Sequence, residues 1–132
     1  MVAIPDNVRD LFERPIICAL ATIMPNGQPQ VTPVWVDLED GYVCVNSVKG
    51  HQKSRNLKLD SMVTAFLVDP QTVWHWVEVR GHVVQIFQED EGARAHINRL
   101  AKKYLGQEVY QSRRPNEQRI KYKIEPDKIN GQ

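Results

Sequence analysis

Residues 16–35 read Ile16-Ile17-Cys18-Ala19-Leu20-Ala21-Thr22-Ile23-Met24-Pro25-Asn26-Gly27-Gln28-Pro29-Gln30-Val31-Thr32-Pro33-Val34-Trp35. An apolar run from Ile16 to Met24 meets a Pro-Asn-Gly step, and a second strand-like run follows from Gln28 to Asp37. Asn-Gly accommodates the positive φ angles of a tight turn, so the stretch predicts a β-hairpin. Glu39-Asp40-Gly41 supplies another turn before Tyr42-Val43-Cys44-Val45, which extends the expectation to three strands meandering antiparallel.

Upstream, Asp6 suits the cap of a short helix that carries Val8, Leu11 and Phe12 on one stripe and ends near Arg14-Pro15. Downstream, Gln52 to Asp60 is polar and basic and reads as one or two helical turns. Met62 to Val68 and Val73 to Phe87 return to a β pattern, with Gly81 placed for a bulge. Ala93, Ile97, Leu100, Ala101 and Tyr104 recur at helical spacing within Asp90 to Leu105, and Gly106 suits a left-handed stop. Gln107 to Asn116 is loop-like, and Arg119 to Ile124 alternates as a half-exposed strand does. Six or so strands with one substantial helix, and no βαβ alternation, predict a mainly β protein built as an antiparallel barrel.

The 132 residues, 42% hydrophobic and 25% charged, suit one globular domain spanning 1–132. A formal net charge of +1 gives little general attraction for polyanions, so nucleic acid is not an expected partner. No apolar run approaches the roughly 20 residues that cross a bilayer, and no leader pattern opens the chain, so the expectation is a cytoplasmic protein off the membrane. Neither GxGxxG nor GxxxxGK[ST] occurs, which argues against the phosphate loops that need a strand, a glycine turn and a helix. Cys18 and Cys44 lie in apolar runs and read as reduced core thiols. The histidines have no metal-ligand spacing, and no metal site is expected.

The most informative polar stretch is Asn46-Ser47-Val48-Lys49-Gly50-His51-Gln52-Lys53-Ser54-Arg55-Asn56-Leu57. It sets four basic side chains, two hydroxyls and a glycine where a strand ends and a helix begins. Such a junction is either a solvated basic helix face or a phosphate site made of free N–H groups and cations. The residues alone leave both readings open. Trp35, Trp74 and Trp76 are likewise either filler for a core or interface, or walls for a planar ligand. Glu78 and Arg80 share a strand face as an internal ion pair or a cross-subunit contact.

Taken in order, Ala19-Leu20-Ala21-Thr22, Asn26-Gly27, Pro29 to Trp35, Lys53-Ser54-Arg55-Asn56-Leu57, Val77-Glu78-Val79-Arg80-Gly81 and His96-Ile97-Asn98-Arg99-Leu100 resemble the FMN-binding split β-barrels related to pyridoxamine 5'-phosphate oxidase. They resemble especially the small branch that uses the deazaflavin coenzyme F-420. The resemblance covers nearly the whole chain. It implies a homodimer with cofactor sites in the interface, and Lys53 on the cofactor phosphate with help from Asn46 and Ser47. His51 stands where relatives often carry arginine, which implies a site weaker at high pH. Gln52 and Arg55 complete the polar candidates of that segment, and Thr32, Pro33, Val34 and Trp35 form the edge of the ring pocket. The partner subunit would add residues near Trp74, Trp76 and Arg80, with Trp76 facing the ring.

The activity so implied is hydride transfer from reduced coenzyme F-420 to an electron-poor small substrate, with Lys49 and Lys58 near the coenzyme's acidic tail. No catalytic residue or proton donor is named. The alternatives are an FMN-dependent reductase or oxidase of the same fold, a non-catalytic flavin or haem module, and a barrel without cofactor.

Overall fold

The computed structural model describes residues 1–132. β1 (Cys18–Ile23) and β2 (Pro29–Val34) form the expected hairpin, in register from Cys18 opposite Val34 to Ile23 opposite Pro29. The three-strand meander does not form. The run from Gln28 to Asp37 breaks at Trp35 into β2 and β3 (Val36–Glu39), and β3 pairs instead with β4 (Tyr42–Val48). With β5 (Met62–Val68), β6 (Trp76–Phe87) and β7 (Arg119–Gly131), one antiparallel sheet runs β2-β1-β5-β6-β7-β4-β3. Its two edge strands are separated by a single residue, Trp35, so the sheet must curl until its edges approach. That is how a split barrel closes.

The break at Trp35 has identifiable causes. Pro29 and Pro33 cannot donate to a strand ladder, which confines β2 to an edge. Just beyond, the Val36 N–H donates to the Tyr104 hydroxyl at 3.2 Å, and that hydroxyl donates to the Ile16 carbonyl at 2.6 Å. Lys103 Nζ also donates to the carbonyls of Phe12, at 2.5 Å, and Val36. Tyr104 and Lys103 belong to the long helix, α3 in chain order (Ala93–Leu105), which ends at Gly106 with φ 72°, the left-handed stop expected there.

Two shorter helices complete the chain. Near the N-terminus a 3₁₀ turn at Asp6–Val8 precedes α1 (Asp10–Glu13); the Asp6 side chain caps neither, but Val8, Leu11 and Phe12 are buried as their spacing predicts. α2 (Gln52–Asn56) is held to the first hairpin by Asn56 Nδ2, which donates to Thr22 Oγ1 at 3.0 Å and to Gln30 Oε1 at 3.3 Å.

The barrel interior is filled by Leu20, Val36, Val43, Val45, Leu67, Val77, Val79, Val83, Tyr122 and Ile124. Gly81 sits at a register shift between β6 and β7, where a Cβ would lie 2.3 Å from the Glu125 carbonyl oxygen. The bulge therefore demands glycine. β6 begins at Trp76, not Val73, and leaves Trp74 70% exposed in the preceding turn. β7 reaches Gly131, and its first four residues are all buried, because α3 covers the face that alternation alone would leave in water. Cys18 and Cys44 are free and buried, and burial pushes both thiols up to about 12. No helix is long and apolar enough to cross a membrane.

Candidate functional site

The closure at Trp35 brings the end of β2, the end of β4, the start of α2 and the start of β7 to one cleft of about 290 Å³. Pro33, Val34, Trp35, Asn46, Ser47, His51 and Lys53 line it, so seven of the residues expected from the sequence converge. Arg119, Tyr110, Arg113 and Glu117 line it too. Strand alternation hides Arg119 in the sequence, Tyr110 and Arg113 lie in a segment that reads only as polar loop, and Glu117 falls between that loop and the strand.

Arg119 is the most firmly placed cation of the cleft. Its side chain is 9% exposed, its Nε donates to Asn46 Oδ1 at 2.8 Å, and its guanidinium lies 5.0 Å from the Tyr110 ring centre. Behind it, Asn46 Nδ2 donates to the Ala93 carbonyl at 3.0 Å and lies 3.1 Å from His96 Nδ1. His96 Nε2 lies 2.8 Å from Asp37 Oδ1. A donor against Nδ1 and a carboxylate against Nε2 select neutral His96 with its proton on Nε2. Burial pushes the His96 pKa down, in agreement. Burial would raise the Asp37 carboxyl, but the His96 hydrogen bond and neighbouring Arg99 hold it below its ordinary value. His96 is thus structural, and it fixes which way Asn46 faces Arg119.

Lys53 projects into the cleft half-buried and has neither a hydrogen-bond acceptor nor a carboxylate partner. Burial, then the charge of Arg119, lowers its pKa. His51 is lowered by burial and then by Lys53, Arg114 and Arg119, so it carries little charge at neutral pH. Burying an uncompensated cation is costly, and Lys53, beside Arg119 and a histidine that can protonate, makes the cleft a place that could hold an anion. The Thr32 hydroxyl oxygen is buried without any partner, but Thr32, expected at the ring pocket, lines the outer-face depression beside Pro33 and not the cleft. α2 has no side-chain cap, so its first N–H groups lack intrahelical acceptors.

The remaining expected residues are placed otherwise. Ser54 Oγ lies 2.8 Å from both the Val48 carbonyl oxygen and Ser47 Oγ. A hydroxyl has one proton and a carbonyl has none, so Ser54 donates to Val48 and Ser47 donates to Ser54. Arg55 turns back on its own helix, donating to the Gly50 carbonyl at 2.8 Å and to Gln52 Oε1 at 2.5 Å. Gln52 and Arg55 therefore shape α2 and do not line the cleft.

Trp76 and Arg80 lie on the outer face of the sheet, Trp76 beside Phe66 with ring centres 6.0 Å apart. Arg80 pairs with Glu78 at 3.2 Å, so the strand-face pair is an ion pair within the chain. Trp35 stacks on Tyr104 at 5.1 Å and 9°, with Tyr110 edge-on at 6.0 Å. His82, Glu125 and Asp127 bring ligand atoms within 4.8 Å of one another, but His82 Nδ1 already binds Asp127 at 2.8 Å and the group is largely an exposed ion pair.

The fold agrees with the family comparison. The pyridoxamine 5'-phosphate oxidase family model matches residues 4–132, and the chain belongs to that family. Among solved structures, an F-420 reductase is 27% identical with a TM-score of 0.82, over 98% of this chain and all of that one. A conserved hypothetical protein from Mycobacterium tuberculosis is 25% identical with a TM-score of 0.75, over 98% of this chain and 84% of that one. HupZ from Group A Streptococcus, at 18% identity and a TM-score of 0.62 over 96% of this chain and 91% of its own, shares the fold alone. No curated protein sequence matches the chain.

Proposed function

We propose that this chain is a cytoplasmic oxidoreductase that binds coenzyme F-420 by its ribityl phosphate and passes a hydride from the reduced coenzyme to an electron-poor small substrate. The observation that carries this reading is half-buried Lys53, without a counter-ion and flanked by Arg119 and His51 in a cleft walled by Trp35. Likeness to an F-420 reductase along the full length of both chains favours the deazaflavin. The residues present fit the coenzyme: cations for the phosphate and an aromatic wall for a planar ring.

When bound, the coenzyme supplies the hydride. The protein binds, orients and excludes water. Lys53 and Arg119 hold the phosphate, with Arg119 fixed in direction by Asn46. Trp35, immobilised between Tyr104 and Tyr110, limits where the ring system can lie.

The site is completed by a second copy of the chain. Ile17, Val31 and Phe66 form an exposed apolar patch on the outer sheet face, and Pro33 belongs both to this patch and to the cleft. Covering the patch with a partner subunit would therefore wall the open side of the cleft, and would bring Trp76 and Arg80 of that face into the interface. FMN in the same cleft is the second reading, since it offers the same phosphate to Lys53 and Arg119.

The test is single-turnover oxidation of protein-bound reduced F-420 by a panel of enones and quinones. Substrate-dependent oxidation supports the reductase. Tight binding without oxidation by any acceptor assigns a carrier instead.

A further inference from the structure

A carboxylate does not belong in a site that only binds an anion, yet Glu117 lies in the wall of this one. Its side chain is 8% exposed, and it lines both the cleft and the adjoining basic groove of about 520 Å³ that holds Lys49, Arg113 and Arg114. Oε1 lies 3.3 Å from Arg119 Nη1. Oε2 is buried and has no partner at all, although five cationic or potentially cationic side chains line the same two cavities: His51, Lys53, Arg113, Arg114 and Arg119. Were Glu117 only a counter-ion, that setting would be expected to satisfy both oxygens. A buried acceptor left unmade is costly, and a donor brought by a ligand would remove that cost.

We infer that Glu117 Oε2 accepts a hydrogen bond from a hydroxyl of the bound ligand, so that the site recognises a polyol phosphate and not phosphate as such. The inference rests on the phosphate reading of the cleft and specifies it: cations take the phosphoryl group, and the carboxylate takes the neighbouring O–H. The last torsion of a glutamate is soft, so a ligand can draw Oε2 onto the cleft wall at little cost. The same carboxylate repels a second anionic group at that spot, which sets the polarity in which the ligand enters.

The experiment is calorimetric titration of the intact protein and of Glu117→Gln with ribitol 5-phosphate and with inorganic phosphate. Arg119 Nη1 requires an oxygen opposite it, so the amide of the variant presents its NH₂ where Oε2 was, and the acceptor is lost. The native protein should prefer ribitol 5-phosphate by at least about tenfold, the range of a charged hydrogen bond. Glu117→Gln should lose that preference while holding inorganic phosphate as well or better. An equal gain for both probes would make Glu117 a mere counter-charge and overturn the inference. An equal loss, with an unchanged thermal transition, would reduce it to a support for Arg119 and also overturn it. A native protein that binds both probes equally contradicts this inference alone, whereas one that binds neither removes the phosphate site beneath it.

Discussion

Lys53 and His51 are adjacent cations with different duties. Lys53 waits without a partner, and an anion beside it opposes the downward pull of burial and Arg119 on its pKa, so Lys53→Ala should weaken cofactor binding by about 1.5–3 kcal/mol, the worth of a charged hydrogen bond, in a fluorescence titration. His51 is held below its ordinary pKa by burial and nearby cations, and an anion in the cleft opposes that shift. Affinity for sulfate, which does not itself titrate near neutrality, should therefore rise as pH falls through the His51 pKa and level off below it. His51→Gln should flatten that slope in calorimetry across the same pH range. Lys53 was legible from the basic run after β4 because local sequence places it. Arg119 was not: it comes 66 positions later by the numbering, and only the pairing of β4 with β7 sets it beside Asn46.

At the scale of elements, the strand that splits at Trp35 is the step most at odds with the sequence. Pro29 and Pro33 confine the run to a sheet edge, but nothing in the alternation from Gln28 to Asp37 places the break at Trp35. What fixes it there lies some 70 residues away, in Tyr104 and Lys103, which take the polar groups of Val36. The hairpin at Asn26-Gly27, the α3 stop at Gly106 and the bulge at Gly81 were all legible, since each rests on local backbone chemistry. The bulge makes a direct prediction. A methyl group at Gly81 would meet the Glu125 carbonyl oxygen at 2.3 Å and Ile124 Cγ2 at 2.9 Å. Gly81→Ala should therefore cost about 1–3 kcal/mol or more in urea denaturation, as overpacking does. An unchanged midpoint would mean that β6 and β7 meet differently there.

For the whole molecule, an antiparallel barrel was legible from the count of strands and the want of βαβ units, and its split form from the family resemblance, but its apolar outer face was not. Val31, Met62 and Phe66 each sit in an ordinary-looking strand and Ile17 just before one, and only the common pairing of β2, β1 and β5 gathers them on one surface. If a second copy covers that surface, Phe66→Glu should produce monomers in sedimentation velocity and weaken cofactor binding with them. Retention of a dimer would place the interface elsewhere.

The central claim is that the cleft at the barrel closure takes a deazaflavin through its phosphate. It is tested most directly by titrating the purified protein, by fluorescence, with coenzyme F-420 and with FMN in parallel. The account predicts saturable binding of F-420, tighter than FMN, and lost to a similar degree for both on replacing Lys53. Binding of neither cofactor, or binding indifferent to Lys53, would contradict it.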